Sequence, residues 1–419
     1  MSYAEAQARF AEFGIDTEAA MEAAAGKAIS IHCWQGDDLV AFDSPEGAGG
    51  AANGILATGN YPGRARNFEE LKADFLEACR FIPGKKRINL HASYAIFTDE
   101  HPWVDRDKIT IEHFQPWVDW ARENSLGIDF NQTVYGHPMM VDGLSLTHTD
   151  PAVRRFWIDH CIACRKISQA IGEQLNDKVL CNLWIADGLK DVPADRFGPR
   201  QRLLESLDEI FAEPMPNVID SVESKWFGIG VEAYTPGSME FYTIYSATRP
   251  NVHMLMDIGH YHPSEFCSEK LPTLQLFNEY VPLHISRPMN WDSDHVVNFD
   301  DELREICKEI VRNGCMDKVL IGTDFFDASI NRVAAWVIGC RSMQKALLWA
   351  LLQPHEALRE MQDKSDFTQR MALMEEVKTM PFPDVWDEYC RRQGIPAGFE
   401  WYQELMEYER EFMLPRDEA

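Results

Sequence analysis

Residues 252–287 read VHMLMDIGHYHPSEFCSEKLPTLQLFNEYVPLHISR, and they contain one complete β/α repeat. The run VHMLMDIGH (252–260) predicts a strand, SEKLPTLQLFNEY (268–280) predicts a helix, and VPLHISR (281–287) predicts the next strand. Short apolar and β-branched runs of this kind are typical of strands that are buried in a parallel sheet. The same alternation continues outward from this unit in both directions.

Eight such runs, each followed by a segment of helical period, occupy most of the chain. The predicted strands are 28–34, 87–97, 127–135, 179–188, 218–230, 252–260, 281–287 and 318–326. Eight β/α alternations predict an α/β fold of the (β/α)8 TIM-barrel type. A doubly wound open sheet is the main alternative. However, no G-x-G-x-x-G follows the first strand, and no G-x-x-x-x-G-K-[ST] occurs.

The ends of the chain are helical. The opening segment MSYAEAQARFAEFGIDTEAAMEA predicts one amphipathic helix, and beyond about residue 330 only helical periodicity remains. We therefore predict a barrel catalytic domain over residues 1–329, including the N-terminal helix, and a helical C-terminal extension over 330–419. The extension is apolar enough to require burial against the barrel or a neighbouring subunit, which favours an oligomer.

Composition limits the partners. The formal net charge of −27 would repel phosphate backbones and anionic lipid, so we expect no nucleic acid or membrane partner. We expect no signal peptide, because the first residues lack a basic segment followed by an apolar core, and no apolar run approaches the ~20 residues that span a bilayer. The ten cysteines form no disulfide framework, which suits the reducing cytoplasm. We interpret the Cys161-x-x-Cys164 pair as structural, with a redox motif as the alternative.

Polar residues occur at nearly every predicted strand end, where the catalytic groups of TIM barrels gather. They are His32, His91, Asn131, Trp184 with Asp187, Glu223 with Lys225, Asp257 with His260, His284 followed by Asp292 and Asp294, and Asp324 with Asp327. Each alone has a structural explanation, such as a core histidine, a surface ion pair or a helix cap. Together they would bury at least four carboxylates, which is costly without a cation. The pattern therefore predicts a metal centre.

The candidate ligands exceed the needs of one tetrahedral ion. Glu223, Asp257, His284 and Asp324 could form one closed set, and His260, Asp292 and Asp294 could hold a second ion with open positions. Oxygen-rich sets of this kind suit Mn²⁺, Mg²⁺ or Co²⁺ better than structural zinc. Lys225 is two residues beyond Glu223 in a strand, so both side chains point to one face. His262 is the weakest candidate because it lies beyond the turn.

Six strings together resemble the bacterial L-rhamnose isomerase family over nearly the whole chain. They are SIHCWQGDD, TGNYPG, VESKWFGIG, DIGHYHPSE, SRPMNWDSDHVV and TDFFDASINR. The resemblance implies a (β/α)8 barrel related to xylose isomerase, usually a homotetramer, that interconverts L-rhamnose and L-rhamnulose. The chain differs from the family pattern at Met239, where His is common, and in GTDFF, which stands for the usual GLDFF. Neither difference touches a candidate ligand.

The resemblance also implies roles for individual residues. It implies a structural ion at Glu223, Asp257, His284 and Asp324, and a catalytic ion, typically Mn²⁺, at His260, Asp292 and Asp294. It places Lys225 near the reacting oxygens of the sugar, and His91 and Trp184 in the sugar pocket. We expect two divalent ions per subunit, with Zn²⁺, Co²⁺ or Mg²⁺ as alternatives to Mn²⁺ in one site.

The expected reaction moves hydrogen between C1 and C2 of an open-chain sugar that a metal ion polarises. The hydrogen moves either as hydride or as a proton, with Asp324 as the base in the second case. Lys225 would stabilise the developing oxyanion, and Trp184 would supply an apolar wall. The alternatives are an isomerase of another aldose, a metal-dependent phosphoesterase, and a non-catalytic protein that binds sugar or metal.

Overall fold

The computed structural model describes residues 2–43, 57–226 and 232–417. Eight parallel strands close into a barrel in chain order, with the eighth strand paired to the first. This confirms the predicted TIM barrel and excludes the open sheet. The strands are β1 Ile29–His32, β2 Lys86–His91, β3 Gly127–Asn131, β4 Val179–Trp184, β5 Val218–Glu223, β6 Val252–Asp257, β7 Val281–Ile285 and β8 Val319–Thr323.

The strands are buried along most of their length, because helices cover the outside of the barrel and side chains fill its interior. Every residue of β6, for example, is buried. The parallel register then sets polar residues of neighbouring strands side by side at their carboxyl ends. The paired residues are His91 with Asn131, Trp184 with Glu223, and Asp257 with His284. The barrel therefore brings these side chains to one face.

Helices surround the barrel and extend beyond it. They are α1 Tyr3–Ala11, α2 Thr17–Gly26, α3 Phe68–Cys79, α4 Gln115–Glu123, α5 Pro151–Leu175, α6 Phe197–Ile210, α7 Met239–Thr248, α8 Leu271–Phe277, α9 Asp301–Arg312, α10 Arg332–Leu351, α11 His355–Asp363, α12 Phe367–Glu376, α13 Phe382–Arg392 and α14 Glu400–Tyr408. The buried α10 packs against β1, α3 and α9, and so it lies where the eighth helix of the ring belongs. The domain boundary after residue 329 stays a prediction.

The N-terminal segment forms two helices, so the prediction of a single helix was wrong. Gly14 takes a φ of +74°, which a glycine adopts at no steric cost. The side chain of Asp16 then accepts hydrogen bonds from the backbone N–H groups of Glu18 and Ala19 and caps α2. A left-handed glycine after one helix and an acidic N-cap before the next stop the first helix and start the second.

The helices beyond α10 pack partly on this N-terminal pair. A second hydrophobic cluster joins Phe10 and Met21 to Val385, Trp386 and Tyr389. The extension is thus buried in part within its own chain. By contrast, α11 and α12 contain no buried residue, and Phe367 and Met371 on α12 are largely exposed. The role of the extension in oligomerisation stays a prediction.

The last described residues are anchored to α3. Two guanidinium nitrogens of Arg416 each lie 2.7 Å from a carboxylate oxygen of Asp74. The hydroxyl of Tyr408 donates a third hydrogen bond to the same carboxylate, also over 2.7 Å. Asp74 is completely buried, so loss of Arg416 alone would leave an uncompensated charge in the interior.

Two regions fall partly outside the described residues. They are the glycine-rich segment 46–63, of which 46–56 are not described, and the predicted fifth strand, of which 227–230 are not described. The described end of the loop joins the segment after β8. The backbone N–H of Tyr61 donates to the carbonyl of Ala328 over 2.8 Å, and Ala328 donates to the carbonyl of Thr58 over 3.3 Å.

Two further features concern the cysteines and the helices. Cys161 and Cys164 are buried in α5, and all ten cysteines are free. Within the described ranges, no helix combines the length and the apolar character that a membrane crossing requires.

Candidate metal centre

A pocket opens at the carboxyl ends of the strands. Every residue to which the sequence assigns a metal-binding, catalytic or sugar-binding role lines it. These residues are His91, Trp184, Glu223, Lys225, Asp257, His260, His284, Asp292, Asp294 and Asp324. The structure thus brings together side chains that come from six of the eight strands or the loops that follow them.

Glu223 lies between two imidazoles at the centre of the cluster. One of its carboxylate oxygens is 3.1 Å from Nδ1 of His260, and the other is 3.3 Å from Nδ1 of His284. Asp257 approaches the same histidines at 3.9 and 3.8 Å. All four side chains are buried, so their charges interact in a medium of low polarity. This part of the cluster mixes carboxylate and imidazole donors, as divalent metal sites do.

Asp324, at the end of β8, contacts histidines from two neighbouring strands. Its Oδ2 lies 3.0 Å from Nδ1 of His284, and its Oδ1 lies 3.0 Å from Nδ1 of His32. The rings of His32 and His284 meet edge to face, with centroids 4.7 Å apart. His32 therefore belongs to the cluster, although the sequence analysis did not assign it as a ligand.

Asp292 and Lys225 form the outer side of the cluster. Oδ2 of Asp292 lies 2.7 Å from Nζ of Lys225 and 3.2 Å from Nε2 of His260. The Lys225 ammonium also lies over the Trp184 ring, 5.0 Å from its centroid. Asp294 has a φ of 42°, and its backbone carbonyl accepts a hydrogen bond from Phe326 beyond β8. The loop after β7 is thereby fixed against the end of the last strand.

The acid–base properties of the cluster reflect its crowding. Burial, together with the charges of Glu223 and Asp292, raises the pKa of Asp257 to about 7. Burial and the nearby Asp292 likewise raise the pKa of Asp294 well above its ordinary value. Burial opposes protonation of His260, but the carboxylates of Asp257 and Asp292 outweigh it and raise the pKa to about 9. Without a cation, protons must therefore compensate part of the carboxylate charge.

Several buried polar atoms test whether these residues fit a metal ion. Nε2 of His284 and Oδ1 of Asp292 have no hydrogen-bonding partner among the described residues. Buried polar atoms are rarely left unpaired, because desolvation without a partner costs about 1–3 kcal/mol each. A cation would satisfy such lone pairs, so the donor set fits a divalent metal.

Among the residues that the structure describes, two groups of ligand atoms are compact enough to hold an ion. One contains His32, His284 and Asp324, and the other contains Glu223, Asp257 and His260, with the atoms of each group within 4.8 Å of one another. The predicted division of the ligands between a structural and a catalytic ion differs from these groups. That division stays a prediction.

The pocket also contains residues that the sequence analysis did not select. They are Trp34, Gln132, Thr133, Tyr135, Asn182 and Phe326. Trp34 stacks on His91 with ring centroids 4.1 Å apart, and Tyr135 meets Trp184 edge to face. The sequence placed Trp34 as the last residue of the predicted first strand, but only the closed barrel shows that it faces His91.

Three polar residues near the predicted strand ends lie outside the pocket. Asp187 is buried and accepts hydrogen bonds from Ser145 and Thr147. Asp327 accepts from the backbone and hydroxyl of Ser329, and the exposed His262 lies 2.6 Å from the hydroxyl of Ser264. These contacts give Asp187 and Asp327 local structural roles and agree with the low rank given to His262.

The sequence and fold of the chain are similar to those of known proteins. The family model described as L-rhamnose isomerase (RhaA) matches residues 1–416. The L-rhamnose isomerases of Escherichia coli (strain K12) and Salmonella typhimurium are each 51% identical over 413 residues, covering 98% of this chain and 97% of the relative. A solved structure of L-ribulose 3-epimerase matches with a TM-score of 0.46 and 13% identity, over 77% of this chain and 95% of that one.

Proposed function

The chain belongs to the L-rhamnose isomerase family, and we propose that it interconverts L-rhamnose and L-rhamnulose. The observation that carries the proposal is the placement of the Lys225 ammonium, 2.7 Å from Asp292 and over the face of Trp184, beside a buried carboxylate and imidazole cluster. A protein that only stores metal needs no such cation. Negative charge that develops on a substrate oxygen does need one.

The reaction is balanced without an external oxidant or reductant. In the open-chain aldose, C1 is a carbonyl and C2 carries a hydrogen and a hydroxyl. The hydrogen on C2 moves to C1, the proton on O2 is lost, and O1 gains a proton. The ketose then has its carbonyl at C2. The protein therefore needs groups that bind two adjacent oxygens and exchange protons with them.

We propose that the cluster holds two divalent cations, with Mn²⁺ as the working ion. His260, Asp292 and Asp294 would hold one ion, and Glu223, Asp257, His284 and Asp324 would hold the other. Zn²⁺, Co²⁺ or Mg²⁺ would serve as alternatives in one site. When bound, such a cation supplies Lewis-acid polarisation of the sugar oxygens. The unpaired Nε2 of His284 and Oδ1 of Asp292 support this assignment.

The side chains around the cluster have distinct roles in the proposed reaction. Lys225, fixed by Asp292, stabilises negative charge on a substrate oxygen. His91, held by stacking on Trp34, positions the sugar through a hydrogen bond. Asp324 is the base if the hydrogen moves as a proton. The rings of Trp184 and Trp34 supply apolar walls that exclude water and suit a sugar that ends in a methyl group.

The test is turnover across a panel of aldoses with added Mn²⁺, with metal content measured on the same sample. We expect L-rhamnose to give the highest kcat/KM, and Glu223→Ala and Asp292→Ala to lose both metal and turnover. A higher kcat/KM for another aldose would assign the enzyme to that sugar. Metal binding without conversion of any aldose would refute the isomerase function. Solvent deuterium in the product would indicate proton transfer, and its absence would indicate a hydride shift.

We further propose that the enzyme is a cytoplasmic homotetramer with no nucleic acid or membrane partner. The largely exposed apolar side chains of Phe367 and Met371 on α12 support an interface in the C-terminal extension. The ten free cysteines suit a reducing compartment. Light scattering on the purified protein measures its mass directly. A monomeric mass would refute the oligomer.

A further inference from the structure

We propose that a chain of three asparagine side chains fixes the tautomers of His32 and His91. The chain runs around the inside of the barrel from Asn182 through Asn131 to Asn89. As a result, His91 meets the substrate as a hydrogen-bond donor at Nδ1. The functional part of this inference rests on the proposed isomerase function.

The asparagine chain begins at the carboxylate of Glu223, which can only accept hydrogen bonds. Nδ2 of Asn182 lies against Oε2 of Glu223, and an ionised carboxylate offers no hydrogen. The amide of Asn182 must therefore present its NH₂ to Glu223. The other end of this amide agrees, because Oδ1 of Asn182 accepts from the hydroxyl of Ser221 over 2.9 Å. The carboxylate of Glu223 therefore fixes the orientation of Asn182, and the Ser221 hydroxyl is compatible with it because a hydroxyl can donate or accept.

This orientation passes to the next two strands. The same NH₂ of Asn182 donates to Oδ1 of Asn131 over 3.2 Å, and Nδ2 of Asn131 donates to Oδ1 of Asn89 over 2.7 Å. Reversing either amide would place an acceptor against an acceptor or a donor against a donor. All three asparagines are buried. The hydrogen bonds of the asparagine chain therefore all run in one direction, from Asn182 as donor to Asn89 as the last acceptor.

The chain ends on His32. Nδ2 of Asn89 lies 3.0 Å from Nε2 of His32, which must accept and so carries no hydrogen. A neutral imidazole then has its hydrogen on Nδ1. The opposite side of the ring agrees, because Nδ1 lies 3.0 Å from Oδ1 of Asp324. A bare nitrogen there would face a carboxylate oxygen, whereas an N–H group is attracted to it.

The tautomer of His32 determines that of His91. Nδ1 of His32 and Nε2 of His91 are hydrogen-bonded over 3.3 Å, so the hydrogen on His32 makes Nε2 of His91 the acceptor. His91 must then carry its own hydrogen on Nδ1. That atom is buried and has no hydrogen-bonding partner within the described residues, on a side chain that lines the pocket. A sugar oxygen is the acceptor that would satisfy it.

The direct test is neutron diffraction from crystals of the full perdeuterated chain grown with Mn²⁺, which locates the deuterons. We expect deuterons on Nδ1 of His32 and Nδ1 of His91, and none on Nε2 of either ring. A deuteron on Nε2 of His32 would overturn the inference. So would a bare Nδ1, which would follow if His32 itself bound a metal. This result is read from the wild type whether or not the enzyme converts L-rhamnose.

A matched pair of variants then tests whether the chain sets the tautomer. Asn89→Asp keeps the acceptor for Asn131 but presents a second acceptor to His32, so Nε2 should gain a deuteron. Ser221→Ala removes the hydroxyl that donates to Oδ1 of Asn182 but leaves the Glu223 carboxylate that orients this amide, so His32 should keep its tautomer. An unchanged His32 in Asn89→Asp, or a changed one in Ser221→Ala, would contradict the role of the chain.

Kinetics show whether the tautomer matters for turnover. Changes to hydrogen-bond partners behind a metal site typically cost about 10–100-fold in activity. We expect Asn89→Asp to lower kcat on L-rhamnose within this range while KM changes by about twofold or less. A kcat equal to that of the wild type, with the tautomer reversed, would show that His91 does not act as the donor. Absence of turnover in the wild type would instead refute the proposed function and leave the diffraction result intact.

Discussion

Nζ of Lys225 lies 2.7 Å from Oδ2 of Asp292, and both side chains are almost fully withdrawn from solvent. Burial disfavours the charged ammonium, but the carboxylate outweighs it and raises the pKa of Lys225 above its ordinary value. The lysine therefore carries its charge into the pocket at neutral pH. The ion pair with Lys225 also restricts the rotation of the Asp292 carboxylate towards other partners.

The variant Lys225→Met should reduce kcat/KM by about 100–1,000-fold, because it removes a buried charge aimed at a developing oxyanion. Steady-state kinetics with saturating Mn²⁺ measure the change. Lys166→Met, on the exposed side of α5, is the control and should retain wild-type kinetics. A Lys225→Met enzyme with unchanged kcat/KM would show that the ammonium has no part in the reaction.

Two histidines only two residues apart should differ sharply in metal binding. His260→Asn removes a buried imidazole between Glu223 and Asp292, so we expect loss of metal and a lower Tm. His262→Asn changes an exposed side chain that contacts Ser264 and should leave both unchanged. Elemental analysis after dialysis and differential scanning calorimetry, with and without added Mn²⁺, measure the two effects. Equal metal content in the two variants would contradict the assignment.

Asp37 should make stability depend on pH. Burial raises its pKa to about 7, although Tyr94 and Ala41 donate hydrogen bonds that oppose the shift. Because the folded chain binds this proton more tightly than the unfolded chain, the contribution to stability is complete below about pH 4. It is lost as the pH rises through 7, and amounts to a few kcal/mol.

The variant Asp37→Asn should remove this dependence. Its Tm relative to the wild type should therefore be higher at about pH 8.5 than at about pH 5.5. Asp119→Asn, on the exposed side of α4, is the control and should show the same Tm difference at both pH values. A relative Tm of Asp37→Asn that does not change with pH would mean that the carboxyl stays ionised in the folded protein.

The variant Gly59→Ala should loosen the end of the loop from the segment after β8. Gly59 has a φ of +124°, and an added Cβ would lie 2.2 Å from the carbonyl oxygen of Ala328. Gly14 also has a positive φ, but an added Cβ there would meet no atom within 4 Å. We therefore expect Gly59→Ala to lower the Tm clearly more than Gly14→Ala does. Equal losses would show that backbone strain alone matters at residue 59.

The barrel was predictable because its signals are local. Apolar runs such as VPLHI mark buried strands, and the polar residues that follow them mark the functional face. The break between α1 and α2 was also readable, since Gly14 and Asp16 form a stop and a start signal. The amphipathic pattern on both sides of the break outweighed that signal in the prediction.

The asparagine chain could not be predicted from the sequence. Asn89, Asn131 and Asn182 look like ordinary polar residues within strands, separated by tens of residues. Only the register of the closed barrel places their amides in contact. The same holds for the inclusion of His32 in the cluster, because its contact with Asp324 depends on β8 returning beside β1.

The pairing of Asp74 with Arg416 has a consequence for how the protein folds while it is being translated. Asp74 is synthesised hundreds of residues before Arg416. For most of translation, α3 therefore lacks the guanidinium that pairs with this carboxylate. Until residue 416 leaves the exit tunnel, this carboxylate favours contact with water over the interior position that it finally occupies. We therefore expect the docking of α3 to be completed only after the C-terminal segment emerges, which leaves that face of the barrel open to chaperones during translation.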